Sequence, residues 1–176
     1  MNSLDKISVE RLHVLIIEDS EDDAQLLVAE FQKKEYDLVF QRVTNAESLK
    51  SALSSQQWDL VISDEILPQF NGTDALIICH QFDRDLPFII VSGAIREETA
   101  VEAMRAGAED YLMKGDILRL IPAVERALRD AQTRKQHRLA LLAFEESEAR
   151  FKAIASNTPQ FNFEFRRFGP RHRQIT

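Results

Sequence analysis

With a single cysteine, Cys79, the chain has no internal disulfide, which agrees with a reducing compartment. Cys79 sits in CHQF, away from any second cysteine or basic cluster, and reads as a small buried hydrophobe rather than a reactive thiol. No run of about 18 apolar residues occurs, so no helix is expected to span a membrane. The opening MNSLDKISVERLHV lacks a basic segment followed by an apolar one and does not read as a secretory signal. A cytoplasmic location is the expectation. Positive charge is scarce in the body of the chain: residues 1–128 hold 12 Lys and Arg against 24 Asp and Glu, while residues 129–176 hold 10 against 5. An acidic body argues against nucleic acid as a partner, and the basic tail is too mixed in sign to reverse that. Hydrophobic residues make up 44% and charged residues 29%, an ordinary globular composition with room for one core and an appendage.

What is present is a repeated pattern. Residues 12–17, LHVLII, form an almost continuous apolar run that ends in Glu18-Asp19-Ser20-Glu21-Asp22-Asp23. Runs without alternation suit strands covered on both faces, as in a parallel sheet. Ser20 then starts a helix with Ala24, Leu27, Val28 and Phe31 at helical spacing. Glu21, Asp22 and Asp23 fall in its first turn, where negative charge is favoured by about 0.3–1 kcal/mol each. Glu18 and Asp19 precede that turn and are not explained by it. Residues 37–43 read as a second strand, and the segment from Asn45 as a capped helix. Leu60, Val61 and Ile62 lead a third strand into Asp64, after which Pro68 and Asn71-Gly72 force a loop. A helix over 73–81 follows, then a strand over 88–92 ending in Ser92. A helix over 97–105 is stopped by Ala106-Gly107-Ala108, and a short fifth strand from Asp110 ends in Lys114. From Asp116 the pattern is helical, with Ile117, Ile121, Val124 and Leu128 on one face; Pro122 either kinks this helix or lies in its first turn. Alternating strands and helices of this kind predict an α/β fold, an open five-stranded parallel sheet with right-handed crossovers.

Open parallel sheets bind ligands at the carboxyl ends of their strands. Here those ends carry Glu18 and Asp19, then Asp64, Ser92 and Lys114. Each has a structural reading of its own, Asp64 as a simple strand terminator for instance, but the agreement of four strand ends favours a functional set. Two carboxylates about 4 Å apart repel by roughly 1 kcal/mol in water and about 4 kcal/mol at an effective dielectric near 20. Three in one cleft need a cation or a raised pKa. Lys114 supplies one positive charge, and Mg²⁺ suits the oxygen donors that remain. A carboxylate beside Mg²⁺ and a lysine is also placed to attack phosphorus, giving an acyl phosphate on aspartate.

With these motifs in view, residues 11–130 resemble a response-regulator receiver domain of two-component signalling. The resemblance rests on LIIEDSEDD, on Asp64-x-x-Leu67-Pro68-x-x-Asn71-Gly72, on Ile89-Ile-Val-Ser92-Gly93, and on Ala106-Gly107-Ala108-x-Asp110-Tyr111-Leu-Met-Lys114. It implies a flavodoxin-like (βα)5 fold with strand order 2-1-3-4-5. Asp64 would be the phosphoacceptor and Asp19 a direct Mg²⁺ ligand. Glu18 would hold the metal mainly through water, and the backbone carbonyl of Ile66 would add a ligand. Ser92 would hydrogen-bond the phosphoryl group, Lys114 would pair with it, and Tyr111 would be the aromatic that moves inward with Ser92. The chain departs from the family pattern at Glu18, where aspartate is commoner, and at Gly115, where proline is usual. Glu65 is also an acid, but Asp64 is the one that fits the spacing to Pro68 and Gly72.

Apart from Pro122, no Gly or Pro interrupts residues 116–158, and strong helix formers fill 125–152. Leu128, Ala131, Lys135, Arg138 and Leu142 follow heptad spacing imperfectly, and residues 131–150 read as a linker in a two-helix coiled coil in preference to a lone helix, giving a homodimer. His137 lacks the context of a phosphoacceptor histidine and reads as a solvated helix residue. Residues 151–176, with Phe151, Ile154 and the alternating Phe161, Phe163 and Phe165, are similar to the start of a PAS domain, as in a fragment or truncation of a receiver–PAS protein such as a sensor kinase; residues 1–10 are a lead-in. No ATP-binding segment or DNA-binding helix pair appears, so the chain reads as a phosphoacceptor and not an enzyme. The expected function is a switch phosphorylated by a histidine kinase or phosphotransfer protein; the alternative is a receiver-like dimerisation or docking module that is never phosphorylated. A metal-dependent phosphohydrolase would want a second aspartate where Ile66 stands.

Overall fold

The structure is a computed structural model that describes residues 11–34, 36–94 and 97–156, without the side chains of the last two. Strands and helices alternate: β1 (Arg11–Ile17), α1 (Glu21–Lys33), β2 (Asp37–Val43), α2 (Ala46–Ser55), β3 (Leu60–Asp64), α3 (Gly72–Phe82), β4 (Phe88–Ser92), α4 (Glu97–Ala106), β5 (Asp110–Met113) and α5 (Leu120–Ser156). The strands form one parallel sheet in the order β2-β1-β3-β4-β5.

The apolar runs without alternation become the central strands because both faces of the sheet are covered. Leu12, Val14, Ile16, Ile62, Val91 and Leu112 pack against Leu27, Val28 and Phe31 of α1 and against Leu120, Ile121 and Val124 of α5. Leu15, Ile17, Val61, Phe88 and Ile90 face the other way, onto Leu49 of α2, Leu76 and Cys79 of α3, and Ala103 of α4. Each large side chain buried this way contributes about 1.5–3 kcal/mol. Cys79 is fully buried, as its surroundings in sequence predict, and burial pushes its thiol up to about 12.

Three side chains begin helices by accepting an otherwise unpaired backbone N–H. Ser20 caps α1 through Asp23 N (3.2 Å), Asn45 caps α2 through Ser48 N (2.9 Å), and Asn71 caps α3 through Asp74 N (2.8 Å). The Asn71-Gly72 pair is therefore less a turn than a helix start: Gly72 is the first residue of α3, and its amide bonds Glu65 O at 2.9 Å. A Cβ on Gly72 would lie 3.0 Å from Asp64 O, so glycine is what lets α3 begin against the end of β3.

Gly107 stops α4 with φ +108°, a backbone region that only glycine enters without strain. A Cβ there would meet the His80 ring at 3.1 Å. Gly107→Ala is expected to destabilise the domain by about 1–2 kcal/mol, read as a lower urea midpoint at unchanged m-value.

Two expectations need correction at the fifth strand. β5 ends at Met113, and Lys114 opens a 3₁₀ segment (Lys114–Arg119) in place of ending the strand. The long helix begins at Leu120, not Asp116, because Asp116 departs from helical geometry at φ −118°, ψ 50°. Pro122 consequently falls in the first turn of α5, where its missing N–H would have no partner anyway. Leu128 packs against the core and Ala131 is buried, so these two positions of the expected heptad seam are used inside the domain. Arg126 pairs with Asp110 at 2.6 Å, and Arg134 pairs with Glu109.

The chain divides into two compact units, Met1–His137 and Arg138–Thr176. In the second, the described residues are helical, with Leu139, Leu141, Leu142, Phe144, Phe151 and Ile154 each more than half exposed. Phe161, Phe163 and Phe165 lie outside the described residues. Among the described residues no helix is long and apolar enough to cross a membrane.

Candidate functional site

The pleat divides the carboxyl edge of the sheet into two sets of side chains. Ile17 is paired with Ser63, Asp64 with Val91 and Val91 with Leu112. Paired residues of parallel strands share a face and neighbours along a strand alternate. Carried past the strand ends, Glu18, Asp64 and Lys114 belong to the face covered by α1 and α5. Glu65, Ser92 and Tyr111 belong to the face covered by α2, α3 and α4.

On the first face the acids converge. Carboxylate oxygens of Glu18, Asp19 and Asp64 all lie within 4.8 Å of one another. Lys114 Nζ reaches Glu18 Oε2 at 2.9 Å, Asp64 Oδ2 at 3.0 Å and Asp23 Oδ2 at 2.5 Å. One ammonium thus answers three carboxylates and leaves Asp19, which is exposed, outside its reach. Glu18 is 1% exposed, and burial raises its pKa against the opposing pull of Lys114 and of the Ser20 amide, which donates to Oε1 at 3.1 Å. Burial alone would lower Lys114, but its hydrogen bonds to Asp23, Glu18 and Asp64 outweigh this and hold it above its ordinary value. The Arg42 guanidinium, at the end of β2, donates to the carbonyls of Glu18 (3.1 Å) and Asp19 (3.3 Å) and so fixes the loop that carries both acids. Three hard oxygen donors this close, only partly neutralised, fit a divalent cation of the Mg²⁺ class.

Ile66 follows in the loop. Its amide donates weakly to Asp64 Oδ1 at 3.4 Å, it bridges to Asn71, and its side chain is 62% exposed.

On the second face, Glu65 is 6% exposed and Ser92 1%. Ser92 Oγ donates to Glu65 Oε2 or, alternatively, to Ala94 O at 2.8 Å. Tyr111 OH donates to the same Glu65 oxygen at 2.6 Å. The structure therefore brings Glu18, Asp19, Asp64 and Lys114 together as the sequence predicts, and joins Ser92 to Tyr111 through an acid that spacing had left without a role.

Comparison with known proteins places this geometry. The family model described as "Response regulator receiver domain" matches residues 14–125, more than half of the chain. The chain belongs to the response regulator receiver domain family. The receiver domain is 32% identical over 102 residues to the transcription factor SKN7 of Saccharomyces cerevisiae, covering 58% of this chain and 16% of that protein. It is 30% identical over 104 residues to the response regulator SaeR of Staphylococcus aureus, covering 58% of this chain and 43% of that one. The chain thus spans under half the length of these curated relatives. The fold of the receiver domain is shared with a CheY-like receiver domain protein from Methanospirillum hungatei (TM-score 0.62, 22% identity, 71% of this chain and 99% of that one).

Three residues of the receiver site escape a reading of the sequence. Asp23 looks like first-turn acid and cap partner, yet its carboxylate binds Lys114, a residue 91 positions away. Arg42 is one polar residue of an edge strand, and nothing local marks its contact with the β1–α1 loop. Glu65 carries a faint signal, an acid where an apolar run turns into a loop.

Proposed function

We propose that the receiver domain is a phosphoacceptor switch with Asp64 as the residue modified. The observation that carries this reading is the placement of Asp64 between Lys114, at 3.0 Å, and the carboxylates of Glu18 and Asp19. A carboxylate oxygen of Asp64 forms a bond to phosphorus as the bond from phosphorus to its donor breaks. The donor is a phosphohistidine of a kinase or phosphotransfer protein, or a small acyl phosphate, and its leaving group departs with the electron pair. Lys114 balances charge on the transferred group, and Ser92 hydrogen-bonds one of its oxygens. Glu18, Asp19, Asp64 and the Ile66 carbonyl are the groups that would hold Mg²⁺. When bound, Mg²⁺ neutralises oxygens of the incoming phosphoryl group. Tyr111 moves with Ser92, and the change passes to the last helix.

The same reading treats residues 11–130 as the switch, 131–150 as a helical linker and 151–176 as the beginning of a PAS-like segment. Exposed Leu139, Leu142 and Phe144 support a homodimer through this helix with a second copy of the chain, although the seam begins later than Leu128 and Ala131. An acidic net charge of −7 supports protein rather than nucleic acid as the partner.

Incubation with acetyl phosphate tests the chemistry. With Mg²⁺ the intact mass is expected to gain one phosphoryl group, which hydroxylamine removes, as it does from an acyl phosphate and not from a serine ester. No gain with any donor, or a hydroxylamine-stable gain, would leave the docking-module reading in its place.

A further inference from the structure

Glu65 stands beside the phosphoacceptor in sequence and on the other face of the sheet in space. Because Asp64 pairs with Val91, the next position along β3 falls beside Ser92, and because Ile90 pairs with Tyr111, that phenol lies on the same face. One buried carboxylate oxygen accepts from Tyr111 and is the closer of two acceptors within reach of Ser92 Oγ, the other being the Ala94 carbonyl at 2.8 Å. A serine hydroxyl has one proton to donate. While that proton is held by Glu65 it cannot be given to an oxygen of a phosphoryl group on Asp64.

We propose that Glu65 is a positioning residue that competes with the phosphoryl group for Ser92, holding Ser92 and Tyr111 in the unphosphorylated arrangement. This deepens the phosphoacceptor reading and rests on it. Charge-assisted hydrogen bonds to a carboxylate are about twice as strong as neutral ones, and a buried carboxylate that loses a donor is poorly compensated. Modification of Asp64 must therefore draw Ser92 out of a strong contact. The carboxylate binds the two hydroxyls at one atom, so withdrawal of Ser92 alters the acceptor that Tyr111 shares. That shared atom links Ser92 to the aromatic on β5.

The test uses the full chain and the initial rate of phosphoryl incorporation from acetyl phosphate with Mg²⁺, followed by intact mass. Glu65→Gln keeps the shape and removes the charge; Glu65→Met removes the acceptor and guards against an amide that rebinds Ser92. Both are expected to label faster than the parent chain, by about tenfold, the factor that corresponds to about 1.4 kcal/mol at 25 °C. In a Ser92→Ala background the same substitutions should give no gain, because nothing remains to be released. A merely structural role for Glu65 would not show this dependence on Ser92. Equal rates in the parent and Glu65 variants, or a gain that persists without Ser92, would overturn the competition while leaving Asp64 as acceptor. Failure of every variant to label would overturn the acceptor reading and the proposal with it.

Discussion

Asp64→Asn is expected to bring phosphoryl incorporation to background, a fall on the order of a thousandfold or more, the scale on which loss of a covalent nucleophile acts. An amide cannot supply the anionic oxygen that attacks phosphorus. The neighbouring acids are not placed to take over. Glu18 is 1% exposed, and its two oxygens are occupied by the Ser20 amide and by Lys114. Glu65 is buried on the opposite face and accepts from Ser92 and Tyr111. Asp23 is closer to Lys114 than Asp64 is, but it belongs to the first turn of α1 and not to the strand end. The substitution preserves volume and removes one of several crowded charges, so the urea midpoint should not fall. Intact mass and urea unfolding on the same sample separate lost chemistry from lost fold.

Lys114→Met is expected to lower stability without metal at neutral pH by about 2–3 kcal/mol, below the roughly 3–5 kcal/mol seen when one partner of a fully buried ion pair is removed, because the lysine side chain is 26% exposed. The ammonium is the only cation within salt-bridge distance of Glu18 and Asp64 among the described residues. Its loss leaves the buried Glu18 carboxyl with one amide donor. The sign of the pH dependence follows from the two shifted groups. Lys114 is raised, so the stability it contributes is complete below its unfolded pKa, about 10.4, and is lost as pH rises through the higher folded value. Glu18 is also raised, chiefly by burial, so it favours the fold below the ordinary carboxylate range and opposes it as pH rises through the folded value. At neutral pH the lysine is therefore fully stabilising, while Glu18, raised by burial, works against the fold as pH climbs. Glu18→Gln should then leave the metal-free protein as stable as the parent or more so, opposite in direction to Lys114→Met. Millimolar Mg²⁺ should recover most of the loss in Lys114→Met and give little gain in Glu18→Gln. Urea unfolding with and without Mg²⁺ reads both; equal stability of the lysine variant and the parent without metal would mean that the acids do not depend on Lys114.

The sheet was legible because its central strands have runs such as LHVLII and LVIS that only two-sided burial explains. The helix starts were legible in Ser20 and Asn45, whose side chains can do little else at those positions. Polar residues at successive strand ends pointed to the acid cluster by position alone. What stayed hidden depends on register and on distance along the chain. Asp23 and Lys114 meet only once α1 is laid across the end of β5, and no local pattern records that. Glu65 acquires its partners from the Asp64–Val91 pairing, which sets it beside Ser92. The end of β5 and the start of α5 were misjudged because a 3₁₀ segment with lysine, glycine and aspartate has no hydrophobic period of its own. Leu128 and Ala131 illustrate the same limit: heptad spacing marks an apolar face without saying whether it meets another helix or its own domain's core.

The switch depends on a phosphoryl group carried by the carboxylate of Asp64. Reductive trapping tests it most directly. Borohydride converts an aspartyl phosphate to homoserine, and peptide mass mapping locates the change. The chain treated with acetyl phosphate and Mg²⁺ and then reduced is expected to carry homoserine at position 64 and to retain aspartate there when the phosphoryl donor is omitted. Unmodified Asp64 in a chain whose intact mass shows phosphoryl, or a reduced residue at Asp19, Asp23 or Glu65 in its place, would contradict the account.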